Sequence, residues 1–458
     1  MGVILAHNVD NMMHKILIAT LALLVLTGCS SWRWWPFGPK KIDSGFKDPT
    51  FDMDHQPGVP QPKTVKPKKK EDTVSVERLE KLANEGNPNA QLALGKIYFD
   101  GRVGKKKNYK KALELFHKAA ALGSGPAMFN IGLCYDGGFG VEQSLKDAII
   151  WYEKSADAGV PEAQAKMAVI AENNGDYDKA MVYLRYRAEA GDPSSLRKVG
   201  IYILNGVGTT EPPSAAIEYL KAASLKGDTR AQVKLADCYQ RGIGTERNYD
   251  EMLNWLIIAS QDGDPEAMTK LGYCYQKGMG CTKNTDLAAN WFREAATVGY
   301  APAQVYLGHC YRDGYGVPMD RVMAVEYYRL AAEQADAMGE ASLAEAYLNG
   351  IGLKKDLKEA FIYMKRSADQ DYAPAQYQLA GFYAGGIGTD VDEKEAFKYY
   401  KFAADGGDAA ASYAVGVRYF YGIGTEKDKE AAKTYWMRAS AKGNEDAALK
   451  LKECFPDK

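Results

Sequence analysis

The sequence predicts an all-α protein, an α-solenoid superhelix of about ten helix-pair repeats over residues 75–458, and three observations carry that expectation. The first is self-similarity. "AQVKLADCYQRGIG" at Ala231 returns as "AMTKLGYCYQKGMG" at Ala267 and "AQVYLGHCYRDGYG" at Ala303, and from position 195 onward the step is 36 residues each time. A fixed period of this length marks stacked supersecondary units. The second is helical spacing within each unit. Counting from the starting residue, small or aliphatic residues fall at +4 and +5 and Tyr at +8, then Ala near +21 and Trp or Tyr at +24. These are two successive faces of 3.6-residue periodicity. The third is punctuation. Proline stands one or two places before the start (Pro88, Pro161, Pro265), where its missing N–H costs nothing. Glycine at +11 and +13 (Gly242 and Gly244) supplies the backbone freedom that ends a helix and turns the chain.

Before the repeats come two different segments. His14 and Lys15 precede an apolar run, Ile16 to Leu26, broken by Thr20. A bilayer span needs about 20 apolar residues, so this run has the length of a secretory signal core instead. Leu26-Thr27-Gly28-Cys29 follows and resembles the bacterial lipobox. The resemblance implies that residues 1–28 are a lipoprotein signal peptide and that Cys29 becomes the first mature residue, carrying diacylglycerol and an N-acyl chain (typically palmitate). Asp10 is unusual in the basic start of a signal, so the true start is expected at Met12 or Met13. Ser30, where an Asp would favour inner-membrane retention, points the anchor to the outer membrane, facing the periplasm.

Residues 29–74 are expected to be an anchor and tether. Trp32, Trp34, Trp35 and Phe37 crowd behind Cys29, suited to the interfacial layer of a membrane. The stretch that follows is rich in proline, poor in aliphatic residues and includes Lys66-Pro67-Lys68-Lys69-Lys70. Such composition buries too little apolar surface to offset the entropy of ordering. From Thr73 on, ten full copies fit between about Pro88 and Gly443, with "VSVERLEKLANEG" before them and Ala447 to Phe455 after. The step from Ala163 to Ser195 is shorter, 32 residues, through the turn "ENNGDYDKA".

The copies resemble the Sel1-like repeat family, relatives of tetratricopeptide repeats with a longer inter-helix loop, in the pattern A-x-x-x-L-G-x-x-Y-x-x-G-x-G followed by D-x-x-x-A-x-x-W/Y-Y-x-x-A-A-x-x-G. That resemblance implies antiparallel helix pairs stacked into a superhelix. It also implies a concave groove lined by the first helix of each pair, at positions +2, +6, +9 and +10. Those columns give apolar residues early (Leu92, Phe99, Phe129, Leu133, Val169, Ile201, Leu204). They give a polar centre of Asp237, Gln240, Arg241, Tyr273, Gln276, Lys277, His309, Arg312 and Asp313, then aromatic residues at Tyr377, Tyr413, Phe420 and Tyr421. Arg241, Lys277 and Arg312 form a cationic ladder suited to an acidic peptide or anionic glycan.

Chemistry is sparse. Within the repeats histidine occurs only at His117 and His309, and no metalloprotease, nucleophile-elbow or P-loop pattern appears. No catalytic residue, metal or cofactor beyond the covalent lipid is expected. Cys134, Cys238, Cys274 and Cys310 share position +7, where other copies carry Ile97, Ile170 and Phe382, so the column reads as packing. Cys274 and Cys281 are near enough in sequence to form a disulfide, an open alternative. A net charge of −1 gives no general attraction to nucleic acid. The expected function is a lipid-anchored, periplasm-facing scaffold binding envelope protein or peptide partners, as related repeat lipoproteins of exopolysaccharide export do. A peptidoglycan or exopolysaccharide binder is the alternative, and a cysteine-rich-type hydrolase acting on β-lactams a third. Tyr275 and Trp255 are placed on the packed helix faces, where replacement by Ala should cost about 3 kcal/mol or more if either is fully buried.

Overall fold

Residues 76–455 are described by the computed structural model, within a compact unit running from Val74 to Lys458. Cys29, the aromatic cluster and the expected tether lie outside the described residues. Those described form twenty-two α-helices and no strand. Helix α1 (Val76–Asn84) and α22 (Glu445–Cys454) flank ten helix pairs, α2 (Pro88–Asp100) with α3 (Tyr109–Ala121) through α20 (Ala409–Tyr421) with α21 (Lys429–Ala441). Each first helix packs on its own second helix and each second helix on the next first helix, so the fold is an all-α solenoid.

The sequence starts and stops these helices by local chemistry. Asp228 and Asp264 accept from the backbone N–H of Ala231 and Ala267 at 2.8 and 2.9 Å, capping two first helices. Asn248 and Asn284 do the same for the second helices that follow. Each such cap contributes about 1 kcal/mol. At the other end Gly242 and Gly278 adopt φ of 70° and 73°, the left-handed conformation that side-chain-bearing residues resist. Gly244 has a second demand on it: a Cβ there would run into the Pro213 carbonyl, so the loop lies directly on the start of the preceding second helix.

The seam inside each pair is built on a small residue at +5, Gly in six copies and Ala in four. Glycine at +5 leaves room for a large side chain from the second helix: Phe116 against Gly95, Tyr152 against Gly132, Phe292 against Gly272, Tyr328 against Gly308, Trp436 against Gly416. Those five side chains are fully buried, each worth roughly 2 kcal/mol or more in apolar burial. From copy 2 onward they sit at +25, one place beyond the expected aromatic column at +24. Trp255, at +24, is half-buried, and so is Tyr275. Both pack against the core, as expected of their helix faces, without being fully enclosed by it. A helix advances about 100° per residue, so adjacent positions face different neighbours.

A second rule joins copies. In four copies Gln at +1 is buried and donates from Nε2 to a carbonyl eight residues earlier, at the end of the preceding helix. The pairs are Gln91 to Ala83, Gln164 to Ala156, Gln232 to Ser224 and Gln376 to Ala368. The carbonyls at a helix end lack intrahelical partners, and this amide supplies one. The shortened third copy keeps both helices, α6 (Pro161–Asn173) and α7 (Tyr177–Glu189), and loses loop only.

Candidate functional site

Successive first helices touch directly at α12 (Pro265–Lys277), α14 (Ala301–Asp313) and α16 (Ala337–Asn349), so like helices crowd together along this face. The expected groove residues lie on it, in three settings. Early apolar members Leu92, Phe99, Phe129, Leu133 and Leu204 are half-buried against the core, and position +2 is buried at Val233, Thr269 and Val305. At the C-terminal end Tyr377 and Tyr421 are exposed, Tyr413 is half-buried and Phe420 packs on the Trp436 ring at 5.4 Å.

The central copies bring several expected residues together. Asp237, Gln240 and Tyr273 line a pocket of about 210 Å³ with Lys270, Met252, Leu256, Met279 and Tyr306. Lys270 Nζ bridges Asp237 at 2.7 Å and Glu266 at 3.5 Å. Burial disfavours the charge on Lys270, but the hydrogen bond and field of Asp237 outweigh it and raise the pKa. Tyr306 stacks on Phe292 at 5.0 Å and lies 6.0 Å from Tyr273, giving the pocket an aromatic wall.

The cationic ladder is broken. Arg241 and Lys277 occupy +10 and are exposed, with Lys277 Nζ 5.7 Å from the Tyr273 ring centre. Arg312 sits at +9 and forms a two-point ion pair with Asp313 at 2.8 and 2.7 Å. That pairing raises the Arg312 pKa and holds the Asp313 carboxyl below the usual range. Arg312 is thus not the free cation the spacing suggested. Gln276 is half-buried. His309 is turned inward: its Nε2 lies 3.3 Å from Ser342 Oγ, which donates to the Met338 carbonyl. Burial, with Arg312 nearby, lowers its pKa to about 4.

The column that sequence reasoning missed is +3. Lys166, Lys198, Lys234 and Lys270 recur on four successive copies. Lys166 reaches back to Asp136 at 3.0 Å and Lys198 to Glu172 at 2.8 Å, each an acid at +9 of the preceding copy. Position +3 is only about 20° from +10 around a helix, so it belongs to the same face. The recurrence was readable in the sequence; the columns borrowed from shorter repeats passed over it.

All six described cysteines are free thiols, including Cys274 and Cys281. Burial pushes the Cys134 and Cys274 thiols up to about 12 and Cys238 and Cys310 to about 11, far from a nucleophile's range. Among the described residues no cluster of three or more His, Cys, Asp or Glu is arranged to hold a metal. No described helix is long and apolar enough to cross a membrane.

Comparison with known proteins agrees with this architecture. The Sel1 repeat profile matches residues 88–124, 125–160 and seven further copies between 193 and 444, well over half of the chain. The chain belongs to the Sel1 repeat family. The profile passes over residues 161–192, the copy with the shortened loop, although its helix pair is present. A second profile, the prokaryotic membrane lipoprotein lipid attachment site, matches residues 13–30. Among solved structures, a protective antigen with an SLR fold from uropathogenic Escherichia coli is 31% identical, with TM-score 0.55, covering 83% of this chain and 82% of its own. The DAP3-binding cell death enhancer 1 of Rattus norvegicus is 31% identical over 21% of this chain and 18% of its own. An ERAD-associated E3 ubiquitin-protein ligase component of Candida glabrata is 35% identical over 18% and 9%. This Sel1-repeat chain spans less than a fifth of those two curated relatives. Its fold is that of a typical non-catalytic scaffold, joined to a lipoprotein attachment site.

Proposed function

We propose that this chain is a lipid-anchored scaffold of the bacterial envelope that binds protein or peptide partners along its first-helix face during envelope assembly or export. Cys29 carries the lipid, Ser30 directs the anchor to the outer membrane, and the repeats face the periplasm. The observation that carries the reading is the union of a lipoprotein attachment site at residues 13–30 with a long repeat surface. At its centre that surface offers exposed Arg241 and Lys277 around an aromatic pocket.

The test is envelope photo-crosslinking with a photo-reactive residue in place of Lys277 in the full-length lipidated chain, followed by mass spectrometry. A discrete protein partner is expected. Glycan alone, or no capture from a correctly lipidated chain, overturns the reading. Replacing Cys29 with Ala should release the chain from the membrane fraction. The exposed rings of Tyr377 and Tyr421 favour a second reading, a cell-wall or exopolysaccharide glycan binder. It requires retention on purified cell wall that is lost when Arg241, Lys277 and Arg312 become Ala.

A further inference from the structure

The +3 lysines define a pairing rule, and one copy breaks it. Lys166 takes Asp136, Lys198 takes Glu172 and Lys270 takes Asp237, in each case a carboxylate of the preceding copy. Lys234 occupies the same place in the fifth copy. The two positions where its neighbours find their acids, +6 and +9 of the copy before, hold Ile201 and Leu204. Among the described residues Lys234 has no ion pair or hydrogen bond.

The space around it is open, and apart from Arg230 the other charges there are committed. Lys234 lines a pocket of about 450 Å³ with Ile201, Arg230, Val233 and Tyr300. The acids on that pocket are engaged elsewhere: Asp237 and Glu266 by Lys270, and Asp264 by the Ala267 N–H. Arg197 on its rim is held by Asp228 at 3.0 Å. The cations left free are Lys234 and Arg230. Asp237 also borders the aromatic pocket of Met279 and Tyr273, so the two cavities adjoin.

We propose that a partner peptide supplies the missing carboxylate: an Asp or Glu side chain lies over Ile201 and Leu204 and pairs with Lys234, while an apolar side chain of the same peptide enters the neighbouring pocket. This rests on the scaffold reading and names the chemistry of its partner, an extended segment carrying one acid and one apolar anchor. First helices of stacked copies lie about 10 Å apart, so the two anchors are separated by about three residues of extended chain. Charge complementarity selects the occupant, because the fold itself places a carboxylate on the other three lysines of the column.

The test uses the full-length chain in detergent micelles and two labelled libraries of short peptides. Both fix Leu at one position and vary small residues elsewhere; about three places on, one carries Glu and the other Gln. Fluorescence anisotropy should show the Glu library binding about tenfold tighter, a difference that shrinks with salt. The preference should fall to about one in Lys234→Gln. It should also fall in Leu204→Glu, which restores the internal acid, and persist in Leu204→Gln, which costs similar packing without a charge. Absence of a Glu preference in the wild type, or its persistence in both Lys234→Gln and Leu204→Glu, overturns the proposal. So does Lys234-dependent binding of a soluble polyuronate in place of the peptide. Capture of a discrete protein at Lys277 with no Glu preference would leave the scaffold reading standing and remove this inference alone. A Glu preference with no capture would do the reverse.

Discussion

The seam inside each helix pair and the face formed by the first helices are built from the same helices, yet they vary in opposite ways. At the seam a small residue at +5, Gly in six copies and Ala in four, meets a large apolar side chain of the second helix, from Gly132 with Tyr152 to Gly416 with Trp436. On the face, +6 runs through Ile201, Asp237, Tyr273 and His309 in consecutive copies. The difference teaches where selection by packing ends. A position that must fit its neighbour in every copy keeps to one kind of solution, small against large and apolar, whereas a position facing outward or across to the next copy is free to change its chemistry. On the scaffold reading proposed above, variation along the first-helix face is where partner specificity would be written.

That contrast is broken most sharply by emptying the seam. Phe292 is fully buried against Gly272 and stacked on Tyr306. Phe292→Ala should cost about 3–5 kcal/mol, by lost burial plus the cavity left behind. Thermal or urea unfolding measures it, and a loss under about 1 kcal/mol would show that the seam does not carry the fold. Trp255→Ala, half-buried at +24, should cost clearly less in the same assay.

His309 tests the face from the opposite side, as a groove position drawn into the interior. Its folded pKa of about 4 lies below the ordinary 6.5, so the folded state favours the neutral ring. Its contribution is therefore complete above about pH 6.5 and is lost as pH falls toward 4, a change of up to about 3 kcal/mol. His309→Gln should flatten the fall in melting temperature between pH 7 and pH 4.5. An unchanged pH profile would mean that the ring is already solvated and belongs to the open face. A smaller effect is expected at Tyr328, whose buried hydroxyl has no hydrogen-bond partner. Tyr328→Phe should be neutral to about 1 kcal/mol more stable, because it removes an unsatisfied group from the seam.

Much of this fold was legible because ten copies repeat the same physics. Glycine at +11 and +13, proline at the first turn and small residues at +5 each announce a backbone or packing demand that recurs from copy to copy. The aromatic column was hard to place because copies such as "WY" and "YY" carry rings at both +24 and +25, and only packing distinguishes the buried one: +25 at Tyr152 and Tyr328, +24 at Tyr399. The face was harder to read. Arg312 looked free because its partner Asp313 is its sequence neighbour, a pairing that spacing alone does not report. The +3 lysines are the opposite case: their regularity was visible, but their acids lie 26 to 33 residues away, on the preceding copy.

Glu340 gives the smallest and sharpest test of the inter-copy rule. It occupies +1 in the eighth copy, where four other copies bury a Gln that donates to the preceding helix end. Glu340 is 1% exposed and has no amide to donate. It instead accepts from Gln370 Nε2 at 2.7 Å and pairs with Arg366 at 2.8 Å. Burial raises its pKa above 4.5, and the opposing pull of Arg366 does not cancel that rise. A carboxyl whose folded pKa is raised favours the folded state at low pH and loses that contribution as pH climbs through the folded value. Glu340→Gln should therefore raise the melting temperature slightly at pH 7, and the gain should fade as the pH is lowered below the folded pKa. A loss of stability at pH 7 would show that the Arg366 pair outweighs desolvation, so that this copy has exchanged the buried amide for an ion pair rather than merely tolerating a charge.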